Sequence, residues 1–529
     1  MTITPYAFQE ADIRDLLAHN ATGAIVAETG AGKTVIGAET ARRSGLPTKL
    51  IVALQGTHKK VWKRTLLELD PEARIQRIDG TELGKKAMDA LEWKEPGYYL
   101  MTPQLFTRWK PLHLRPDLMM VDEAHMLGNR NKPGGQTFMQ MGAKSTGHRM
   151  VLSGTLYRNN FENAWTMARF LHPERSASGD IADIAPNRWI DNFCRTEYAH
   201  FAPGQRVVVG ELEPGRFAAL MPCWRQHFKR EPCCEFHPEG FLHDVAEPIV
   251  IRETVELTAG QKKATKQMQR DYLAYLDLAT KEWQTLPIEE RKRKALVVKM
   301  PVTRQLRLSQ ITLAMPSIIP RPWSPKKAGP TSTDWDVQPG YVIAEDGLTK
   351  QAVDDKGFPL WDVVFAPDAE SPKLDALMRI LTKVGEPVVA ATNSQKFAEL
   401  AVNRLNASGW RAFEWSGSST QTQRDQALDD FKAGKYDIIV GQTDAIGTGI
   451  DGLQDVAGVL VSLNKSRDIA NETQLEGRLD RRGQKERGVI HYEIIAEGST
   501  DEDVIDEQLQ RRLELNRSLR KEIAKGVAQ

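Results

Sequence analysis

The 529-residue sequence lacks the features that mark membrane, secreted and strongly basic proteins. No stretch approaches the roughly 18 consecutive apolar residues of a membrane helix, and the mean hydropathy is −0.44. Four cysteines (Cys194, Cys223, Cys233 and Cys234) are too few for a disulfide scaffold at this length, so we expect a reducing, intracellular compartment. The N-terminal residues include early acids and no apolar segment, so we expect no secretory signal. The 71 basic and 70 acidic side chains nearly cancel, so any basic surface must be local.

Short apolar runs alternate with helix-like segments in two parts of the chain, and this alternation predicts parallel sheets. In the first part the runs are Ala24–Ala27, Leu50–Leu54, Tyr98–Met101, Leu118–Val121 and Met150–Leu152. In the second part they are Pro387–Ala391, Tyr436–Val440, Val456–Leu463 and Val489–Ile495. The predicted fold class is therefore α/β, with two parallel-sheet lobes in tandem. We place the first lobe at 1–245, an inter-lobe segment at 246–370, the second lobe at 371–513 and a tail at 514–529.

The inter-lobe segment has an uneven charge distribution. From Thr258 to Arg307 there are 12 basic and 5 acidic residues, and from Thr331 to Glu370 there are 2 basic and 9 acidic residues. The string T-A-G-Q at Thr258 is typical of a capping box and predicts a helical arm to about Thr285. Five prolines within Pro316–Pro330 predict a turn-rich connector. The charge runs are either solvated faces or a basic arm that faces phosphates.

A glycine-rich loop follows the first apolar run. The string A-E-T-G-A-G-K-T ends at Thr34 and opens a helix to about Arg43. Glycines there permit close backbone approach, and exposed N–H groups at a helix N-terminus favour a polyphosphate. Lys33 can contact the β- and γ-phosphates, and the Thr34 hydroxyl can bind Mg²⁺. The predicted ATP-binding residues of this loop are Thr29, Gly30, Ala31, Gly32, Lys33 and Thr34.

Two adjacent acids follow the apolar run Leu118–Val121, in the string D-E-A-H. Side chains at the carboxyl ends of parallel strands face the crevice where ligands bind. We expect Asp122 to hold Mg²⁺ and Glu123 to act as the general base that activates water.

Together these motifs resemble those of superfamily-two helicases and translocases with a DEAH box. The string S-G-T-L-Y-R-N-N-F-E-N-A-W from Ser153 and V-E-L-T-A-G-Q-K-K from Val255 are most similar to the Snf-type double-stranded DNA translocases. The resemblance implies two RecA-like lobes with a helical arm and a small insert between them, and an ATP- and Mg²⁺-dependent activity. It also implies that Gln9 reads the adenine ring.

The second lobe resembles the family in two further strings. Q-L-E-G-R-L-D-R-R-G-Q, from Gln474, is similar to the arginine-finger motif, which implies roles for Gln474, Arg478 and Arg481 at the γ-phosphate. We place both arginines on one helical face and rank Arg481 first as the finger. G-Q-T-D-A-I-G-T-G-I-D, from Gly441, resembles the motif that touches nucleic acid and ATP together, with Asp451 near the arginine region.

A motor that moves over any sequence should contact mainly backbone phosphates. The candidate nucleic-acid contacts are Thr57, Lys59, Gln104, Asn393, Ser394, Ser416 and Thr443.

Two weaker groups of residues remain. Cys223, His227, Cys233, Cys234 and His237 fall within 15 residues, but their spacing fits no standard C-x-x-C pairing, so we favour buried thiols and surface histidines over zinc. Trp323, Trp335 and Trp361 lie in the acidic insert, where we favour a small core of their own over base stacking.

The sequence therefore predicts an ATP-hydrolysing nucleic-acid motor that prefers duplex or branched DNA and that remodels, anneals or unwinds it. An RNA helicase of the same superfamily and an ATP-gated clamp without processive movement remain alternatives. We expect a monomer without membrane attachment, in the cytoplasm of a bacterial cell or of a virus-infected bacterial host.

Overall fold

The two largest sheets of the fold are parallel, and each forms the centre of one lobe. The two lobes contact each other along a seam. A computed structural model describes residues 3–54, 57–78, 95–111, 115–144, 147–154, 161–172, 185–198, 206–231, 234–270, 299–320, 341–343, 350–352, 361–416, 419, 421–449, 452–481, 484 and 488–519. No helix in these ranges is long and apolar enough to cross a bilayer.

The first sheet has seven parallel strands. In chain order the strands that precede residue 230 are β1 (Gly23–Ala27), β2 (Thr48–Val52), β3 (Ile75–Ile78), β4 (Gly97–Met101), β5 (Leu118–Asp122), β6 (His148–Ser153), β7 (Cys194–Tyr198), β8 (Arg206–Glu211) and β9 (Trp224–His227). All but β7 and β8 form the sheet, in the order β3-β4-β2-β5-β6-β1-β9, whereas β7 and β8 form a separate antiparallel pair. The central strands are buried on both faces, which is why their sequences are continuous apolar runs. The carboxyl ends of β1 and β5 therefore lie at one edge, separated only by β6.

Helices cover both faces of this sheet. They are Ala7–Ala18, Lys33–Arg43, Arg64–Leu69, Pro103–Trp109, Pro133–Lys144, Ala164–Leu171, Pro186–Phe193 and Arg216–Leu220, with a π-helical turn at His58–Lys63 and 3-10 turns at Ala124–Leu127 and Phe161–Asn163. Their apolar side chains build two cores, one on each face of the sheet.

The second sheet has six parallel strands. The remaining strands are β10 (Ile249–Val255), β11 (Pro316–Pro320), β12 (Tyr341–Ile343), β13 (Lys350–Ala352), β14 (Trp361–Phe365), β15 (Val388–Thr392), β16 (Ala412–Trp415), β17 (Ile438–Gln442), β18 (Val459–Ser462) and β19 (Ile490–Ala496). The sheet order is β10-β19-β18-β15-β17-β16. The helices of this region are Lys299–Leu313, Pro372–Val384, Gln395–Ala407, Gln421–Lys432, Thr443–Gly449, Ile469–Leu479 and Thr500–Leu519, with a 3-10 turn at Leu453–Asp455. The predicted fold class, two parallel-sheet α/β lobes in tandem, is confirmed.

The inter-lobe segment differs from the prediction in two places. Strand β10, which we placed outside the second lobe, pairs with β19 along seven residues, because its alternating side chains suit the edge of a sheet. Strand β11 occupies the start of the proline-rich stretch and pairs antiparallel with β14, with Pro316 and Pro320 at its two ends.

The capping box at Thr258 is present. Thr258 N–H donates to Gln261 Oε1 over 3.0 Å, and Gln261 N–H donates to Thr258 Oγ1 over 3.3 Å, ahead of a helix at 259–270. The rest of the predicted arm to residue 285, Trp323 and Trp335 lie outside the described residues, as does most of the acidic insert.

Candidate nucleotide-binding site between the lobes

The glycine-rich loop runs from the end of β1 to the helix Lys33–Arg43. Gly30 and Gly32 have φ angles of +102° and +79°, which side-chain-bearing residues rarely adopt. Lys33 Nζ lies across the loop and donates to the Ala27 carbonyl over 2.7 Å. The ammonium group, the two glycines and the helix N-terminus thus lie together in one loop, where an anion would meet N–H groups and a positive charge.

Gln9 lies beside the same loop. Its amide nitrogen donates to the Ala31 carbonyl over 3.1 Å, and its amide oxygen accepts from the Tyr6 N–H over 2.9 Å. A methyl group added to Gly32 would lie only 2.3 Å from Gln9 Nε2, so this close contact requires glycine. The structure therefore places Gln9 beside the glycine-rich loop, and its role at the adenine ring stays a prediction.

The acidic pair lies at the carboxyl end of β5. Asp122 is buried, and one of its carboxylate oxygens accepts a hydrogen bond of 3.0 Å from the indole N–H of Trp62. Burial, together with the neighbouring charge of Glu123, raises the pKa of Asp122 to about 6, whereas the positive charge of Lys33 acts in the opposite direction.

Glu123 has an unusual backbone conformation. Its φ angle of +50° is left-handed, which costs a non-glycine residue roughly 1–2 kcal/mol. His125 Nδ1 lies 3.3 Å from Glu123 Oε2 and 3.0 Å from Ser153 Oγ. The left-handed turn and the imidazole therefore fix the direction of the Glu123 carboxylate, and they connect it to the loop after β6.

The second lobe supplies the opposite wall of the site. A methyl group added to Gly477 would lie 2.8 Å from Thr29 Cβ, and one added to Gly30 would lie 3.6 Å from Arg481 Cβ. The helix Ile469–Leu479 therefore packs directly on the glycine-rich loop. Residues more than four hundred positions apart thus meet at this seam.

The two arginines do not share one helical face, so this part of the prediction is wrong. The helix ends at Leu479, and Arg481 lies beyond it, where its Nε donates to the Gly477 carbonyl over 2.9 Å. Arg478 remains in the helix and donates to the Gly447 carbonyl over 2.6 Å. Arg478 therefore holds the helix Thr443–Gly449 that follows β17, and Arg481 is the arginine next to the glycine-rich loop. Gln474 also lies against Gly447, with its Cβ 3.3 Å from a methyl group built there.

An ion-pair cluster that the sequence analysis missed fastens the seam beside Arg481. Asp480 accepts from Lys229 Nζ over 2.9 Å and from the two terminal nitrogens of Arg230 over 2.9 and 2.7 Å. The Lys229 N–H donates to Glu28, within the glycine-rich string. This cluster could not be predicted from the sequence, because Lys229 and Arg230 follow a strand and Asp480 follows a distant helix. Only the fold brings these residues together.

Behind the helix Ile469–Leu479 the seam encloses a cavity of about 400 Å³. Its charged walls include Lys465, which lies 2.6 Å from Glu493, and Arg512, which lies 3.0 Å from Glu476. Glu472 is buried on the same helix, and burial raises its pKa to about 7.

The candidate nucleic-acid contacts differ in exposure. Gln104 is exposed, and Thr57 and Asn393 are partly exposed, whereas Ser394, Ser416 and Thr443 are buried. Ser394 caps the helix Gln395–Ala407 by accepting from the Phe397 N–H over 3.3 Å. The side chain of Lys59 and the whole of Asp451 lie outside the described parts of the chain.

Residues 372–483 match the family model described as "Helicase conserved C-terminal domain". The chain is also 34% identical over 117 residues to rice DEAD-box ATP-dependent RNA helicase 21, and 32% identical over 136 residues to the human probable ATP-dependent RNA helicase DDX23. These matches show that parts of the chain are similar to helicases. They leave the Snf-type assignment as a prediction.

These matches to helicases are partial. The aligned stretches cover 22% and 24% of this chain and 16% of each relative. A solved structure, the Sulfolobus solfataricus SWI2/SNF2 ATPase core in complex with dsDNA, aligns with 98% of this chain and 94% of its own, at 16% identity and a TM-score of 0.36. A superposition of that quality does not establish a shared fold.

Proposed function

We propose that the chain is an ATP-dependent nucleic-acid motor whose two lobes close on ATP and use its hydrolysis to move along duplex DNA. The observation that carries the proposal is the contact between the glycine-rich loop and the arginine segment, Thr29 to Gly477 and Gly30 to Arg481. A site divided between two lobes couples the chemical state of its ligand to lobe movement.

The residues at the seam fit ATP and Mg²⁺. The loop that contains Gly30, Gly32 and Lys33 has the N–H groups and positive charge that a polyphosphate requires. The buried carboxylate of Asp122 and the Thr34 hydroxyl are the hard oxygen donors that Mg²⁺ prefers. Mg²⁺, when bound, would offset phosphate charge.

Each protein group then has a separate task. Lys33 holds the phosphates, and Glu123, held by His125, accepts the proton of the attacking water. Arg481 brings a permanent positive charge from the other lobe to the phosphate whose charge develops in the transition state.

Duplex DNA is the proposed track because the strings from Ser153 and Val255 resemble the Snf-type translocases. An RNA helicase is the second candidate, because the sequence relatives are named RNA helicases. The two candidates differ in the polymer that should stimulate ATP hydrolysis.

The test is the ATPase rate with duplex DNA, forked DNA, single-stranded DNA and RNA, with Lys33→Ala as the inactive control. We expect the largest stimulation by duplex or forked DNA. Stimulation by RNA alone would favour the second candidate, and no hydrolysis with any polymer would contradict both. Displacement of a third strand from a DNA triplex then measures movement, and stimulated hydrolysis without displacement would contradict a motor.

A further inference from the structure

Three potential metal ligands converge at the margin of the first lobe, outside the nucleotide site. Cys234 Sγ lies 3.9 Å from His227 Nδ1 and 3.5 Å from His237 Nδ1. The three ligand atoms all lie within 4.8 Å of one another. Both histidines are buried, so our expectation of surface histidines is wrong.

The sulfur–nitrogen separations are close to those of a tetrahedral zinc site. Zinc–sulfur bonds of about 2.3 Å and zinc–nitrogen bonds of about 2.0 Å, at a tetrahedral angle, place nitrogen and sulfur about 3.5 Å apart. The distance from Cys234 to His237 equals that value, and the distance of 3.9 Å from Cys234 to His227 is slightly longer, so the sulfur can share one ion with either nitrogen.

A buried carboxylate orients the first histidine. Asp12 Oδ2 lies 2.6 Å from His227 Nε2, and because a carboxylate can only accept, this nitrogen carries a proton. In the neutral ring, Nδ1 then has its lone pair directed at the Cys234 side. A carboxylate behind a histidine is the usual second partner of a zinc ligand. Asp12 also supplies a negative charge that offsets the net charge of Zn²⁺ with one thiolate.

The loop that carries the other two ligands is folded tightly back on itself. Phe241 N–H donates to the Phe228 carbonyl over 3.0 Å, and Leu242 N–H donates to the Lys229 carbonyl over 2.7 Å. Between these contacts, Cys234 and His237 form a turn closed by a hydrogen bond of 3.1 Å from the His237 N–H to the Cys234 carbonyl. This turn places both side chains on the side of His227.

We propose that His227, Cys234 and His237 bind one Zn²⁺ ion, with water or a further donor in the fourth position. Cys234 binds as a thiolate, and its proton is released to solvent. The ion fastens the loop to the helix Ala7–Ala18, which carries Asp12 and Gln9, and the same loop begins with Lys229 and Arg230, which contact Asp480. The zinc site does not depend on the proposed function.

The first test is the zinc content of tag-free protein, purified from zinc-supplemented medium and measured by mass spectrometry. We expect about one zinc per chain, and loss of most of it in Cys234→Ser and in His237→Gln. His243→Gln is the matched control, because His243 lies in the same segment but outside the group of three ligands, and its Nδ1 lies 3.0 Å from the Gly240 carbonyl oxygen. Zinc-free wild-type protein, or equal zinc in the wild type and both ligand variants, would overturn the proposal.

A second measurement needs no variant to fold. Metal-free wild-type protein titrated with Co²⁺ should develop the visible absorption of tetrahedral cobalt together with a thiolate-to-cobalt charge-transfer band in the near ultraviolet. The charge-transfer band should saturate at about one equivalent. Absence of both bands under these conditions would contradict a site that contains Cys234.

Discussion

The substitution Gly477→Ala separates the stability of the second lobe from the contact between the lobes. Gly477 lies inside the helix Ile469–Leu479 and faces Thr29 of the other lobe. Within the helix, alanine is favoured over glycine by up to about 1 kcal/mol. At the seam, by contrast, the added methyl group would lie 2.8 Å from Thr29 Cβ, well inside ordinary contact of about 3.5 Å.

The cost of this overlap sets the expected effect. Overpacking a close contact costs about 1–3 kcal/mol. If the lobes must close for hydrolysis, that cost lowers the closed fraction about 5- to 150-fold. We therefore expect kcat/KM for ATP to fall by about 5-fold or more, while the free energy of unfolding of the second lobe is unchanged or slightly higher.

The assay combines steady-state ATP hydrolysis with chemical denaturation. Gly458→Ala is the matched control, because its added methyl group would lie 3.6 Å from Glu386 Oε2, an ordinary contact within one lobe. This control should hydrolyse ATP at the wild-type rate. Wild-type kcat/KM in Gly477→Ala would refute the argument that this contact belongs to the active arrangement.

Three further predictions follow from single side chains. Glu123→Gln should keep nucleotide binding but lower kcat at least about 100-fold, because an amide cannot accept the proton; phosphate release near the wild-type rate would exclude Glu123 as the base. Arg481→Ala should lower kcat with little change in the nucleotide Kd measured by fluorescence titration; an unchanged kcat would exclude it as the finger. Glu472→Gln should raise the free energy of unfolding by about 3 kcal/mol at pH 8 and by less than about 1 kcal/mol at pH 5.

The sign of the Glu472 effect follows from its pKa. Burial raises the pKa from 4.5 to about 7, so the folded protein holds a proton that the unfolded chain releases between these values. The cost of ionising the buried carboxyl is therefore absent below pH 4.5 and complete above pH 7. Glutamine keeps the oxygen that accepts the Ser466 N–H without that cost. Equal stabilisation at both pH values, measured by urea unfolding, would contradict a buried carboxyl that titrates.

The strands in the middle of each sheet could be predicted from the sequence because both of their faces are buried. Thr48–Val52 and Val388–Thr392, for example, contain apolar runs with no competing helical period. The edge strands β9 and β10 could not, because W-R-Q-H and I-V-I-R-E-T-V contain many polar residues. Their assignment depends on partner strands that only the fold supplies.

The same contrast applies to the site: contiguous motifs could be predicted from the sequence, whereas contacts between residues far apart in the chain could not. The glycine-rich loop and the acidic pair are contiguous motifs, and the order of the strands brings the ends of β1 and β5 to the same edge of the sheet. The position of Arg481 beyond the helix end was not predictable from a three-residue spacing. The convergence of the three proposed zinc ligands was not predicted, because the expected cysteine pairs are replaced by one cysteine between two histidines, supported by Asp12 from a distant helix.

The order of the strands also limits how the two lobes can move. In chain order, β9 is the last described strand of the first sheet and β10 is the first described strand of the second sheet. Among the described strands, the main chain therefore passes from one sheet to the other between β9 and β10. The Leu242 N–H donates a hydrogen bond to the Lys229 carbonyl of the first lobe, and the Ile249 N–H donates one to the Val489 carbonyl of the second lobe. Seven peptide units join these anchors and reach at most about 25 Å when stretched. A connection this short restrains separation of the two lobes on the side where Asp480 lies. We therefore expect the lobes to open by rotation about that side.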